Sequence, residues 1–214
     1  MRVIVIIAVL FIQFLALRAD GQPVYVDEFG NGEEGYIDPW TFQNKNFDVY
    51  LNGTGLLFQN FNKDEEGIRT TEISIDTSRD YELVVKLELK SGGHGYPYGL
   101  IWGFRDNSNY NVFEISNEGE YQIRKMIDGV ERITQSWTDH PGLHHDQAGD
   151  DDFILKVQRS NGLVSFHAGR EDLGEKVKEL ISVQDDFHRG RDFGFIVKGQ
   201  QQMKVTYMSI EYIN

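Results

Sequence analysis

From position 81 the chain alternates. Tyr81, Leu83, Val85, Leu87 and Leu89 are apolar, whereas Glu82, Lys86, Glu88 and Lys90 are charged. Successive side chains of an extended chain point to opposite faces, so this segment has one dry face and one wet face. A helix would scatter the same apolar groups around its axis. The pattern predicts a half-buried antiparallel strand. Comparable alternation recurs at 68–76, 98–105, 109–116, 119–127, 152–159, 162–168, 190–198 and 202–213.

Turn signals separate these runs: Asn52-Gly53, Gly92-Gly93, Asn107-Ser108, Asn117 to Gly119, Asp128-Gly129 and Asn161-Gly162. The Asp128-Gly129 and Asn161-Gly162 pairs have the composition of tight type I′ hairpins, because both residues must accept positive φ. One stretch, 171–180, is weakly helical in pattern, with Leu173, Val177 and Leu180 on one helical face. Strand and single helical turn both stay open there. No Pro/Ser-rich linker divides the chain, and no repeat of ~20–50 residues marks a solenoid or propeller. Many strands without crossover helices imply an all-β fold, a single antiparallel two-sheet sandwich. The 14 Phe and 10 Tyr supply much of its core.

The first residues do not belong to that pattern. Met1-Arg2 is a short basic start, Val3 to Leu17 is apolar apart from Gln13, and small residues follow at Ala19 and Gly21. The apolar run is short for ~30 Å of hydrocarbon, and its flanks are those of a secretory signal peptide cleaved after Ala19 or Gly21. An uncleaved anchor is the competing reading. The expected organisation is a signal peptide at 1–21 and one β-sandwich domain at 22–214, secreted or periplasmic, with no membrane span after cleavage.

Charge and cysteine content narrow the partners. The formal net charge is −13, which argues against nucleic acid and anionic membrane, since both demand a basic surface. There is no Cys, so disulfide scaffolds, thiolate zinc sites and thiol nucleophiles are excluded.

Several motifs carry a resemblance. Tyr98-Gly99-Leu100 with Trp102-Gly103-Phe104 precedes Asn109-Tyr110 with Phe113 and Ile115, then Gly119 with Tyr121, Ile123 and Lys125, and then Trp137. Asp27-Glu28-Phe29 with Trp40 opens the chain, and 192–197 and 205–212 close it. This order is similar to that of bacterial exported modules of the concanavalin A-like lectin/glucanase superfamily. The resemblance implies a jelly-roll sandwich. It implies no single activity, because the fold serves lectins, hydrolases, adhesion modules and spacers.

Laminarinase-type hydrolases of that superfamily carry Glu-x-Asp-x-Glu on one strand, which aims three carboxylates at one face. The nearest string here, from Glu72 to Asp76, lacks the central Asp; Ile73 and Ile75 read as inward residues of an edge or outer-sheet strand. There is no G-x-S-x-G elbow and no phosphate-cradling Gly loop. Asp139, His140, His144, His145 and Asp146, followed by Asp150 to Asp152, match no zinc or EF-hand spacing and read as a solvated loop. No cofactor is expected. If a metal binds, Ca²⁺ on the Asp run suits hard oxygen ligands.

Sugar sites on sandwiches combine exposed rings with hydrogen-bonding side chains. Alternation makes Tyr110 and Glu114 share a face opposite Phe113 and Ile115, and sets Gln122 and Arg124 opposite Tyr121 and Ile123. A concave sheet showing Trp102, Tyr110, Glu114, Gln122 and Arg124, rimmed by His94, Tyr96 and Trp137, is the expected ligand site. Two competing readings stand beside it: Trp102 as core, and Glu114–Arg124 as a plain cross-strand ion pair. Asn52-Gly53-Thr54 is also an N-glycosylation sequon. The expected function is a secreted non-catalytic module that binds carbohydrate or another extracellular surface. The alternatives are a glycoside hydrolase or lyase with a non-standard site, and a spacer without a ligand.

Overall fold

A computed structural model describes residues 23–30, 38–93, 95–144, 152–170 and 177–213. The expected signal peptide at 1–21, His94, and His145, Asp146, Asp150 and Asp151 lie outside the described residues. In chain order the strands are β1 (Pro23–Asp27), β2 (Phe42–Gln43), β3 (Phe47–Leu51), β4 (Leu56–Asn60), β5 (Glu66–Glu72), β6 (Tyr81–Ser91), β7 (Pro97–Asp106) and β8 (Asn109–Ser116). They continue with β9 (Glu120–Ile127), β10 (Val130–Asp139), β11 (Asp152–Ser160), β12 (Leu163–Arg170), β13 (Lys178–Gln184), β14 (Asp192–Lys198) and β15 (Gln201–Tyr212). A 3-10 turn, Pro141–Leu143, follows β10.

The strands form two antiparallel sheets. The larger runs β13-β12-β11-β6-β15-β4-β3-β2, with β1 also paired to β15; the smaller runs β10-β9-β8-β7-β14-β5. Inward residues of both sheets make one core. Leu83, Val85 and Leu87 are fully buried, as alternation along β6 requires. They meet Phe113, Ile123, Phe193 and Phe195 from the smaller sheet in the same cluster. Ile73 and Ile75 are buried too, although β5 ends at Glu72. The ambiguous stretch resolves where it is described: 178–184 is a strand, held against β12.

Turn chemistry set the registers. Asp128 and Gly129 have φ 50 and 76, and Asn161 and Gly162 have φ 54 and 76. Both pairs are type I′, the turn whose twist matches flanking strands. They join β9 to β10 and β11 to β12. At the sequon, the Thr54 backbone N–H and hydroxyl both donate to Asn52 Oδ1, at 3.1 and 3.0 Å. No helix among the described residues is long and apolar enough to cross a membrane.

One irregularity decides what the smaller sheet shows outward. Gly103 has φ 62, and the β7–β8 register shifts after Trp102. A Cβ on Gly103 would lie 2.1 Å from the His188 carbonyl oxygen, so only glycine fits. The shift turns Phe104 to the outward face, where its ring tilts over Tyr110 at 5.7 Å. Phe104, Ile68 and Met126 pack there on Ile101, Tyr110, Val112 and Ile196. A small apolar cluster therefore closes one part of the outward face and leaves the other part open.

Candidate functional site

The open part is a cleft of about 300 Å³, with Glu114, Gln122 and Arg124 among its lining residues. Register assembles it. Glu114 of β8 stands opposite Gln122 of β9, and Val112 opposite Arg124. Arg124 is thus the diagonal neighbour of Glu114, within reach of a long side chain. Its Nε donates to Glu114 Oε1 at 2.9 Å and its Nη2 to Glu114 Oε2 at 3.4 Å. Two more carboxylates close on the same guanidinium. Nη1 donates to Glu131 Oε2 at 3.1 Å, and Nη2 donates to Glu66 Oε1 at 2.8 Å. Glu131 arrives from β10 through the Asp128-Gly129 hairpin. Glu66 opens β5 opposite Lys198 of β14, whose Nζ is 4.0 Å from Glu66 Oε1.

The charges are graded from floor to mouth. The Arg124 and Glu114 side chains are each 3% exposed, Glu66 is 26% and Glu131 51% exposed. Burial pushes the Glu114 carboxyl above its ordinary value, and Arg124 pulls against that shift. Burial also works against the Arg124 cation, but Glu114, Glu66 and Glu131 together outweigh it and hold the guanidinium well above its ordinary value. Burial raises the Tyr110 hydroxyl, with the charge on Glu66 adding to it. The Glu114–Arg124 pair is therefore a buried floor, and the more exposed charges of the lining are Glu66, Glu131 and Lys198.

Two aromatic residues stand at the rim. Trp137 of β10 is 37% exposed. Tyr96 is half-buried in the loop before β7, and its ring lies between two glycines. A Cβ on Gly199 would come within 2.4 Å of that ring, and one on Gly93 within 2.7 Å. Glycine on either side is what lets the ring seat beside the cleft.

Of the seven residues expected at a ligand site, Tyr96, Glu114, Gln122, Arg124 and Trp137 line this cleft. Tyr110 shares the outward face but lies beside the cleft, beneath Phe104. Trp102 is a correction. It is 1% exposed and packs against Phe166 and Phe187 at 5.5 and 5.4 Å, on the core side of β7. The pairing explains why: Glu114 is opposite Gly99, and Leu100 is opposite Phe113, so the even positions of β7 before the bulge all face inward. His94, the remaining rim expectation, is outside the described residues.

No family model matches the chain, and no curated protein matches it. Solved structures do. The carbohydrate binding module CBM66 from Bacillus subtilis superposes with TM-score 0.56 and 14% identity, over 78% of this chain and 92% of that one. The Ca²⁺-bound exoplasmic/lumenal domain of VIP36 superposes with TM-score 0.63 and 14% identity, over 91% and 93%. The fold is a concanavalin A-like jelly roll. A xylan β-1,4-xylosidase from Bacillus halodurans contains it as well, with TM-score 0.57 and 12% identity over 87% of this chain, which spans 38% of that enzyme. At these identities the likeness is one of fold, and it bears out the architecture expected from the motifs.

The jelly roll's described residues hold no group of three or more His, Asp or Glu able to ligate a metal. Asp139 and His144, both exposed, pair at 2.7 Å, and His140 Nδ1 accepts from the Gly142 N–H to start the 3-10 turn. The expected Ca²⁺ locus falls on residues outside the description, except Asp152 at the head of β11. The cleft also uses Glu66, Lys198 and Glu131, none of which the sequence singled out. For Glu131 a signal existed: the Asp128-Gly129 turn pairs Ile127 with Val130 and so draws Glu131 back toward Arg124. Glu66 and Lys198 offered none, because β5 and β14 become neighbours only through the tertiary fold.

Proposed function

We propose that the chain is an exported, non-catalytic carbohydrate-binding module, with a signal peptide at 1–21 and the jelly roll over 22–214. The observation that carries this reading is the cleft, which combines two rim rings, Tyr96 and Trp137, with a polar floor. Pyranose and furanose rings have apolar C–H faces that pack on aromatic rings and hydroxyls that bond to carboxylates and amides. The cleft's volume is at the small end of the ~300–1,000 Å³ of ligand pockets, suited to one or two sugar units. The neighbouring folds, a carbohydrate binding module and the lumenal domain of VIP36, are compatible with the same use.

The test is a glycan array followed by titration of the binders. Trp137→Ala and Tyr96→Ala should each weaken binding about tenfold or more, the equivalent of roughly 1.4 kcal/mol, with the melting transition retained. Undiminished binding in both variants would remove the cleft from the account. The hydrolase reading makes a different forecast. Reducing ends released from a polysaccharide, and lost in Glu114→Gln, would replace binding with catalysis. The burial of Glu114 against Arg124 runs against that role, since a general acid must reach the glycosidic oxygen.

A further inference from the structure

This inference rests on the cleft being the sugar site and concerns which sugars it takes. A guanidinium has five N–H donors in a fixed fork, and anionic glycans are ordinarily held by such a fork. Here the fork is already occupied. Four hydrogen bonds run from Arg124 to Glu114, Glu131 and Glu66. Lys198 is the other cation of the lining, and it faces Glu66. Three carboxylates thus oppose two cations, within a chain whose formal charge is −13. At the mouth Glu131 is 51% exposed, and Lys198, 46% exposed, lies 4.0 Å from Glu66.

The acceptor inventory points the same way. Glu66 and Glu131 each contact Arg124 through one oxygen, Oε1 and Oε2 respectively, which leaves the other oxygen of each to accept. Hydroxyl groups are the donors that match. A uronate or sulfate would bring a further anion beside Glu131 and find no open fork.

We propose that the cleft selects uncharged, hydroxyl-donating sugars and rejects uronic and sulfated ones, with Glu131 as the residue that sets the selection. Arg124 is a positioning residue that orients the carboxylates.

The test uses full-length protein and probe pairs that share a sugar backbone: methyl-esterified oligogalacturonides and their free acids, which exchange a methyl ester for a carboxylate, and cello-oligosaccharides and their C6-oxidised forms, in which the primary hydroxyl becomes a carboxylate. The neutral member of a pair should bind at least tenfold tighter. Glu131→Gln should raise the acid-to-neutral affinity ratio at least tenfold, because it brings carboxylates and cations to parity and leaves the guanidinium a weaker partner. The affinity for neutral probes should hold between 50 and 500 mM NaCl, since no ion pair forms with the ligand. Equal or tighter binding of the acid forms overturns the selection while leaving the cleft as the sugar site. Absence of binding to both members, alongside binding to no array glycan, overturns both claims. Should Glu131→Gln fail to fold, the wild-type comparison of each pair decides alone.

Discussion

Trp102 and Trp137 show what a single side chain can and cannot disclose. Both are large rings on strands of the smaller sheet, yet one is 1% and the other 37% exposed. Composition does not separate them; the register of β7 against β8 turns Trp102 inward, whereas Trp137 lies on β10, the edge strand of the sheet. The two rings should therefore answer mutation differently. Trp102→Ala removes a ring packed against Phe166 and Phe187 and should destabilise the fold by about 3–5 kcal/mol in chemical denaturation. A loss under about 1 kcal/mol would mean that the ring is not core. Arg124 was legible as a candidate because alternation placed it opposite Ile123. That it would gather three carboxylates was not, since one of them, Glu66, comes from a strand distant in sequence.

Strands behave as their patterns require where one face is wet and the other dry. On β6 the inward row is buried, while the outward row forms ion pairs across the larger sheet: Glu82 with Lys156 at 3.0 Å, and Glu88 with Lys204 and Lys90. Burial works against the Glu88 charge, but the two ammonium groups outweigh it and hold the carboxyl below its ordinary 4.5. The folded pKa is lowered, so this contribution is present above the unfolded value and disappears as pH falls through the folded one. Stability should drop below about pH 4.5, and Glu88→Gln should flatten that acid limb; superimposable acid curves would remove Glu88 as a contributor. Elements with weak alternation were harder to read. β10 is exposed along most of its length, so it lacks an inward apolar row, and alternation does not mark it as a strand. β2 has two residues, both exposed, and exists only because β3 offers it an edge.

At the level of the whole molecule, chain order and spatial order diverge most at the end of the chain. The last strand, β15, lies inside the larger sheet between β6 and β4, and β1 also pairs with it. Removing 201–213 would leave β6 and β4 without their shared partner and expose Leu83, Val85 and Leu87. Such a truncation should abolish cooperative folding, seen as loss of the β-type circular dichroism signal. A truncated chain that keeps a sharp melting transition would show that the sheet closes without β15. The larger architecture was within reach of the sequence because two-residue periodicity and type I′ turns are local properties, set by Cβ direction and backbone sterics. They determined the strongly alternating strands, their dry faces, two of the hairpins and the placing of Glu114 and Arg124 on outward faces of neighbouring strands. The tertiary structure alone decided that β14 lies between β7 and β5, that Glu66 reaches Arg124 with Lys198 beside it, and that a bulge at Gly103 turns Phe104 outward. Those outcomes depend on contacts between residues far apart in the chain, whose geometry is fixed only when both sheets pack around the shared core.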